Sequence, residues 1–491
     1  MNSRMVRSTL AMGALMVSAG AASADVVIDW NNVYIDTARA VGGPPCPLTR
    51  SVTAMHVAMF DALQGIQHQF APLIANVSAP STASKEAAIS QAAHDVLVAM
   101  YPSRQAIYDE QLTTKLALVA DGQPKTDGIT VGAAAAAAIL ADRAADAPYA
   151  NDTTYIYGTQ PGAYQPTAPD FHTPPFTPGW GFVKPWCMLA HDQFRSPGGP
   201  LGHRFVKVLL RSPAYATALN EVQSVGRRFS TTRTADQTQF AWFWANDRNG
   251  TFKPAGHLNS ITQVVSKNNN LTLEQNARLF AMINVAMADA GIIAWDAKYL
   301  TDIDLWRPIT AIRNANLDAN PQTTQDTSWR PLLDFTPPFP GYASGHSSFA
   351  GAWATTMAGF FGTDTMTFTV GTDEPIVQNV KRTFTSFSQA GMEDALSRVY
   401  LGVHFRFDCT DGYNNAAKMA SFMVSNFFQP TCAADFNHDG VVNYLDLNAF
   451  LNAYFLKSAS ADFNHDGVVT AADAMAFMNA YLAGCSATTT P

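Results

Sequence analysis

Apolar residues recur at helical spacings through most of the chain. Between about Asn31 and Leu140 the segment Arg50–Asp61 places its apolar positions three and four apart, and Val131–Leu140 is nearly all alanine, the strongest helix former. Further on, Ser212-Pro213 supplies a cap residue followed by proline at the first helical position. Ser230 begins another predicted helix, and Leu273–Trp295 reads as a third, long one. Few runs alternate with period two. The pattern therefore predicts an all-α fold, a large helical bundle, and not a sheet-based domain. The stretch from Pro148 to Pro200 differs. It is rich in Pro, Gly, Thr and Tyr, and reads as a long ordered loop or lid, or as a surface connection.

Both ends depart from this pattern. Arg4 and Arg7 precede an apolar run that closes on Ala22-Ser23-Ala24, just before Asp25. That is the layout of a secretory signal peptide, 1–24, and its apolar core is too short to span a bilayer. No other uninterrupted apolar stretch reaches spanning length, so the mature chain is expected to be exported: secreted, periplasmic or at the cell surface. Near Pro430 the composition shifts again, dividing a main domain, 25–430, from a small module, 431–491. Ala434–Val442 recurs as Ala461–Val469, a period of 27 residues, and each copy leads into an apolar helix.

The 491 residues are 47% hydrophobic and 14% charged, as in a well-buried globular protein. The net charge of −8 comes with no basic run, which argues against a nucleic-acid or anionic-membrane partner. Export permits disulfides, and of Cys46, Cys187, Cys409, Cys432 and Cys485 the last two, which bracket the repeats, are the expected pair. Cys409 sits among aromatic residues and is expected to be buried. No two cysteines have a metal-type spacing.

The repeats carry the clearest chemistry. Asp435, Asn437, Asp439, Val441, Asn443 and Asp446 fall at positions 1, 3, 5, 7, 9 and 12 of a twelve-residue loop, with Gly440 at the sharp turn. The second copy repeats this with Asp462, Asn464, Asp466, Val468, Thr470 and Asp473, and Gly467 at the turn. Oxygens at alternating spacing are what calcium coordinates. Aspartate at position 12 and a single helix after each loop make the module resemble dockerin repeats more than full EF-hand pairs. A dockerin-like module implies a cohesin-like protein partner, and a calcium-stapled tail is the plainer alternative.

In the main domain three segments hold candidates for an oxyanion pocket. They are Lys298 to Arg307-Pro308, Ser344-Gly345-His346, and Ser397-Arg398 to His404 and Asp408. A tetrahedral anion needs several cations and oriented donors, and arginine supplies planar, permanently charged forks. Ser344 to Ala352 also looks like a helix start, where free amides favour an anion. If helical there, His404 and Asp408 share a face, and the carboxylate could fix the imidazole tautomer.

The order of these motifs resembles the vanadium-dependent haloperoxidase and type 2 phosphatidic acid phosphatase superfamily. Trp30-Asn31, His56 to Ala62, Pro185-Trp186, Thr232 to Gln237 and Gly256-His257 are similar to its bacterial haloperoxidase-like branch, so that the resemblance covers roughly residues 25 to 430. It implies that Lys298, Arg307 and Arg398 neutralise the oxygens of vanadate, with Ser344 and the Gly345 amide hydrogen-bonded to them. It implies His404 as the vanadium ligand, His346 as acid–base residue and Asp408 as the residue that orients His404.

Two departures stand out. Ala343 replaces the family's proline, and eight residues separate Lys298 from Arg307 where six are usual. On an ideal helix nine positions turn about 900°, which sets Lys298 opposite Arg307. Either the segment is broken near Asp302, or Lys298 lies outside the pocket. The resemblance implies oxidation of halide by hydrogen peroxide to hypohalous acid, with a small organic substrate halogenated. Phe339, seven residues before His346, goes with chloroperoxidase-like pockets. The alternatives are an acid phosphatase acting through a phosphohistidine at His404, and a degenerate scaffold that carries a docking module. Neither oligomeric state nor halide can be read from the chain.

Overall fold

The computed structural model describes residues 25–437, 442–464 and 468–483. The proposed leader, 1–24, lies outside them. Helices α1 (Val26–Val41), α2 (Pro45–Gln67), α3 (Lys85–Met100), α4 (Gln105–Leu116) and α5 (Gln123–Asp142) form the first layer. Short helices α6 (Ala147–Ala150) and α7 (Val206–Leu210) bracket the irregular stretch, followed by α8 (Pro213–Val225), α9 (Ala235–Phe243) and α10 (Lys253–Asn268). Helices α11 (Leu273–Tyr299), α12 (Pro308–Arg313), α13 (Gly345–Phe361), α14 (Phe387–Tyr400) and α15 (Arg406–Asn426) complete the main body. Between α13 and α14 lies an antiparallel hairpin of β1 (Thr365–Val370) and β2 (Arg382–Ser386). The terminal module adds α16 (Tyr444–Phe455) and α17 (Ala471–Ala483).

The all-α expectation holds, with the hairpin as a small addition. One predicted start moves. Ser230 does not open a helix: its Oγ accepts from the Thr232 and Arg233 amides, a local turn. Thr234 caps α9 instead, in a capping box with Gln237.

Helix α11 is the central post. A capping box from Thr272 and Gln275 starts it, and α2, α13 and α15 pack around it. It and the segment Gln123–Ala150 are long and apolar enough on average to cross a membrane, but charged residues interrupt both, and 94% of the most apolar 18-residue stretch of α11 is buried in the core. Two of its carboxylates fasten the irregular stretch. Asp289 accepts the Trp186, Cys187 and Met188 amides at 2.8, 2.9 and 3.2 Å. Asp296, two turns on, takes His191 at 2.6 Å and both sides of the Arg195 fork. The Pro148–Pro200 stretch is thus an ordered loop tied to the core through one helix face.

In the module, Phe450 of α16 stacks on Phe477 of α17 at 4.1 Å, and Phe436 and Phe463 pack edge-on against the pair. These are repeat-equivalent positions, so the two copies bury one another. Cys432 is disulfide-bonded, and Cys485, its expected partner, lies outside the described residues. Cys46, Cys187 and Cys409 are free and buried.

Helices α13 and α15 cross at van der Waals distance because glycines face the contact. A Cβ on Gly351 would lie under 3.0 Å from the Tyr413 carbonyl, and one on Gly412 would lie 2.9 Å from the Ser344 carbonyl. Alanine at 351 would gain about 1 kcal/mol of helix propensity. Forcing two packed helices apart costs typically about 1–3 kcal/mol. Gly351→Ala is therefore expected to lower the melting temperature by several degrees in a thermal melt, and an unchanged melt would contradict this packing.

Candidate functional site

The α13–α15 crossing brings the Ser344 turn against the His404 turn. Ser344 is the N-cap of α13, its Oγ accepting from the Ser347 amide at 3.4 Å and hydroxyl at 2.9 Å. The first turn leaves the Gly345 and His346 amides without an intrahelical acceptor. The Ser344 amide itself donates to the Asp408 carbonyl at 3.0 Å, locking the two turns together.

His404 and Asp408 do not share a helical face, as the spacing suggested. Helix α15 starts at Arg406, so His404 precedes it. Asp408, in the first turn, reaches back as a cap. Its Oδ2 accepts the Phe405 amide at 3.0 Å and His404 Nδ1 at 3.1 Å. With Nδ1 donating, Nε2 is the acceptor, and Arg307 Nη1 donates to it at 3.0 Å. Burial, and then the charges of Arg307, Lys298 and Arg398, push the His404 pKa well down. The ring is neutral, and its unprotonated Nε2 faces the Arg307 N–H.

The question over Lys298 is answered by the backbone. Helix α11 ends at Tyr299, and residues between it and α12 are irregular, so the ideal-helix angle does not apply. Lys298 is wholly buried, its Nζ donating to the Pro340 and Gly341 carbonyls at 2.7 and 3.2 Å. Burial and the neighbouring Arg307 push its pKa well below the ordinary lysine range. Arg307 is clamped by backbone: Nε to Phe339 O at 2.7 Å, Nη1 to Val403 O at 2.8 Å and Nη2 to Pro337 O at 3.0 Å. The Phe339 ring lies 4.7 Å from the Arg307 guanidinium and 4.8 Å from Lys298 Nζ, facing both cations.

Arg398 is also fully buried, with Nη2 donating to Asp247 at 2.6 Å while Nε and Nη1 have no partner. His346 Nε2 donates to the Ala245 carbonyl at 3.0 Å, which leaves Nδ1 as the basic nitrogen, and lies 3.8 Å from Asp247. Burial and Arg398 lower the His346 pKa to about 3. Asp247 and Ala245 were not singled out in the sequence. They sit in the turn after α9, some 150 residues before Arg398, and no local motif marks them.

These groups fit an oxyanion. The unpartnered Arg398 N–H groups, the one N–H left on each of Lys298 and Arg307, the Ser344 hydroxyl and the free amides are all donors. A tetrahedral anion would satisfy them, with His404 Nε2 as the one ligand able to reach its central atom. Beside them lies a cavity of about 600 Å³, whose walls include Asp247, Pro337 and Phe339.

Of the calcium-loop residues, Asp435, Asn437, Asn443, Asp446, Asp462, Asn464, Val468, Thr470 and Asp473 are described, whereas Asp439, Val441 and Asp466 are not. The two loops are built alike. Asp446 accepts the Asn437 and Asn443 amides at 3.0 and 2.9 Å, and Asp473 accepts those of Asn464 and Thr470 at 3.0 and 2.7 Å.

Residues 278–430 match the family of the VCPO second helical-bundle domain, and residues 433–483 match the type I dockerin domain. The vanadium chloroperoxidase of Curvularia inaequalis is 28% identical over 232 residues. That alignment takes in 36% of this chain and 37% of the relative, so the chain spans little more than a third of that protein's length. Among solved structures, a bacterial vanadium-dependent iodoperoxidase superposes with a TM-score of 0.68 at 24% identity, covering 82% of this chain and 96% of that one. A holo-type bacterial vanadium-dependent chloroperoxidase gives 0.63 at 18% identity, covering 79% and 93%. Both show the fold. Residues 278–430 are thus a helical bundle of the vanadium chloroperoxidase type, and residues 433–483 are a type I dockerin domain.

Proposed function

We propose that the chain is an exported, vanadate-dependent haloperoxidase that oxidises halide with hydrogen peroxide to hypohalous acid. The observation that carries this reading is the buried cradle in which Arg398 Nε and Nη1 are unpartnered beside a neutral His404. Arg307, Arg398 and Lys298 would hold the anion's oxygens, Ser344 and the Gly345 amide would add hydrogen bonds, and His404 Nε2 would be the ligand. Vanadate bound there supplies Lewis acidity toward peroxide. The chain does the rest. Asp408 keeps His404 in the tautomer whose Nε2 is unprotonated, and Arg307 Nη1 faces that nitrogen. His346 takes and returns a proton at Nδ1, whose pKa burial and Arg398 lower to about 3. The Phe339 ring and the enclosing carbonyls exclude water.

Phosphate has the same shape and charge, and an unprotonated His404 Nε2 is equally a nucleophile toward it. An acid phosphatase is therefore the reading against which the first is tested. The degenerate-scaffold reading rested on the Lys298 spacing alone. The break after Tyr299 and the Arg307 charge felt at Lys298 weaken that support.

Protein incubated with orthovanadate should oxidise bromide or iodide in the presence of peroxide. Phosphate-ester hydrolysis without any halide oxidation would overturn the assignment. His404→Ala should abolish activity with an unchanged melting temperature. Asp408→Asn should weaken vanadate binding roughly 10- to 100-fold, the usual cost of losing the partner that orients a ligand histidine; undiminished binding would remove Asp408 from that role.

For the C-terminal module we propose two calcium ions, held by Asp435, Asn437, Asp439, Val441, Asn443 and Asp446 and by the equivalent Asp462, Asn464, Asp466, Val468, Thr470 and Asp473, and docking to a cohesin-like protein. Chelator treatment should release two calcium ions per chain and lower the helical circular dichroism signal. A module indifferent to chelator would contradict this.

A further inference from the structure

The cavity beside the cradle is far larger than the small reactants need. A water occupies about 30 Å³ of liquid, and peroxide and a halide are of that order. About 600 Å³ is instead the size of pockets that hold organic ligands, roughly 300–1,000 Å³. Its apolar walls are Phe176, Phe335, Phe339, Pro169, Pro337 and Pro338. These walls are preformed. The Phe176 carbonyl accepts from Trp295 Nε1 at 3.3 Å and from the Tyr299 hydroxyl at 3.0 Å. The Phe339 and Pro337 carbonyls hold Arg307, so wall and cradle are one construction.

The charged lining residues are Arg248, Lys253, Asp170 and Asp247, two of each sign. Arg248 keeps 29% of its side chain exposed, and its guanidinium is oriented by Asp334 at 2.7 Å and Glu374 at 3.4 Å. One Arg248 Nη2–H donates to Asp334, and most of its fork stays open. Lys253 Nζ donates to the Asp247 carbonyl at 2.6 Å and Asn249 Oδ1 at 3.1 Å, which leaves one N–H. Of the lining carboxylates, Asp247 is engaged by Arg398, and Asp170 remains. An oriented arginine fork above aromatic walls is suited to a carboxylate on an apolar body.

We propose that this cavity binds an electron-rich aromatic substrate bearing a carboxylate, with Arg248 as its anchor, and that the substrate is halogenated there before hypohalous acid escapes. This rests on the haloperoxidase reading. In the step itself the ring carbon attacks the halogen of hypohalous acid. The C–X bond forms, the O–X bond breaks with its electron pair going to oxygen, and the ring proton joins the released hydroxide to give water.

The full chain, supplied with orthovanadate, bromide and peroxide, would be given equal amounts of 4-hydroxyphenylpropanoate and its methyl ester. The ratio of brominated products is compared with that from reagent hypobromite in the same buffer, which makes it independent of how much hypobromite each sample forms. The enzyme is expected to favour the carboxylate at least about tenfold over the reagent ratio, and Arg248→Gln to bring the ratio back to that of the reagent. Calorimetric titration of the protein without vanadate should show the acid binding and the ester binding about tenfold more weakly, with Phe335→Ala weakening both. Bromination at the reagent ratio, together with no calorimetric preference for the acid, would overturn this inference and leave the haloperoxidase reading standing. Calorimetric preference for the acid without any bromination would overturn the haloperoxidase reading and leave the carboxylate site.

Discussion

Lys298, Arg307 and Arg398 are each wholly buried, and the carboxylates among them are Asp247 and Asp408. Taking an ion out of water costs several kcal/mol even after relaxation. Burial pushes the Asp394 carboxyl beside Arg398 well up, which leaves Asp247 and Asp408 to face three basic side chains. The chain offsets part of that cost with backbone. The carbonyls of Pro337, Phe339, Pro340, Gly341 and Val403 all turn toward Arg307 or Lys298. The segments that supply them cannot be helical, because a helix would consume the same carbonyls. The proposed anion would complete the balance, and the residues around it are spread over three irregular turns and not along one element.

The helices make those turns meet. Gly351 and Gly412 let α13 and α15 approach closely, and the Ser344 amide then reaches the Asp408 carbonyl. Helix α11 serves twice. Its C-terminal end presents Lys298, and its Asp289 and Asp296 tether the long loop whose Phe176 walls the cavity. Those tethers are buried carboxylates receiving several N–H donors, which hold a loop more firmly than exposed ion pairs worth under about 1 kcal/mol. A rigid post and a fastened loop give the cavity its fixed walls.

The charge balance also sets protonation. Burial, and then the neighbouring cations, keep His404 and His346 neutral, and burial pushes Asp408 up to about 7 against the pull of the Phe405 amide, Lys298 and Arg307. A cradle of neutral imidazoles and fixed cations is organised before its anion arrives, which is the condition for strong electrostatic stabilisation in a dry site.

By itself the chain's order of residues determined the helical architecture, since apolar spacing reports which face of each helix is buried. It also marked the dockerin module, since its repeated acidic spacing is written within twelve consecutive residues. The members of the cradle were legible as Arg307, Ser344-Gly345-His346, Arg398, His404 and Asp408, because each lies in a short motif. Tertiary structure alone decided three things. It placed Lys298, whose angle to Arg307 depends on where α11 stops. It changed the His404–Asp408 link from a shared helical face to a cap. It brought in Asp247 and Ala245, whose partners lie about 100 to 150 residues away. Local spacing encodes local geometry, whereas a buried charge draws its counterions from wherever the fold can deliver them.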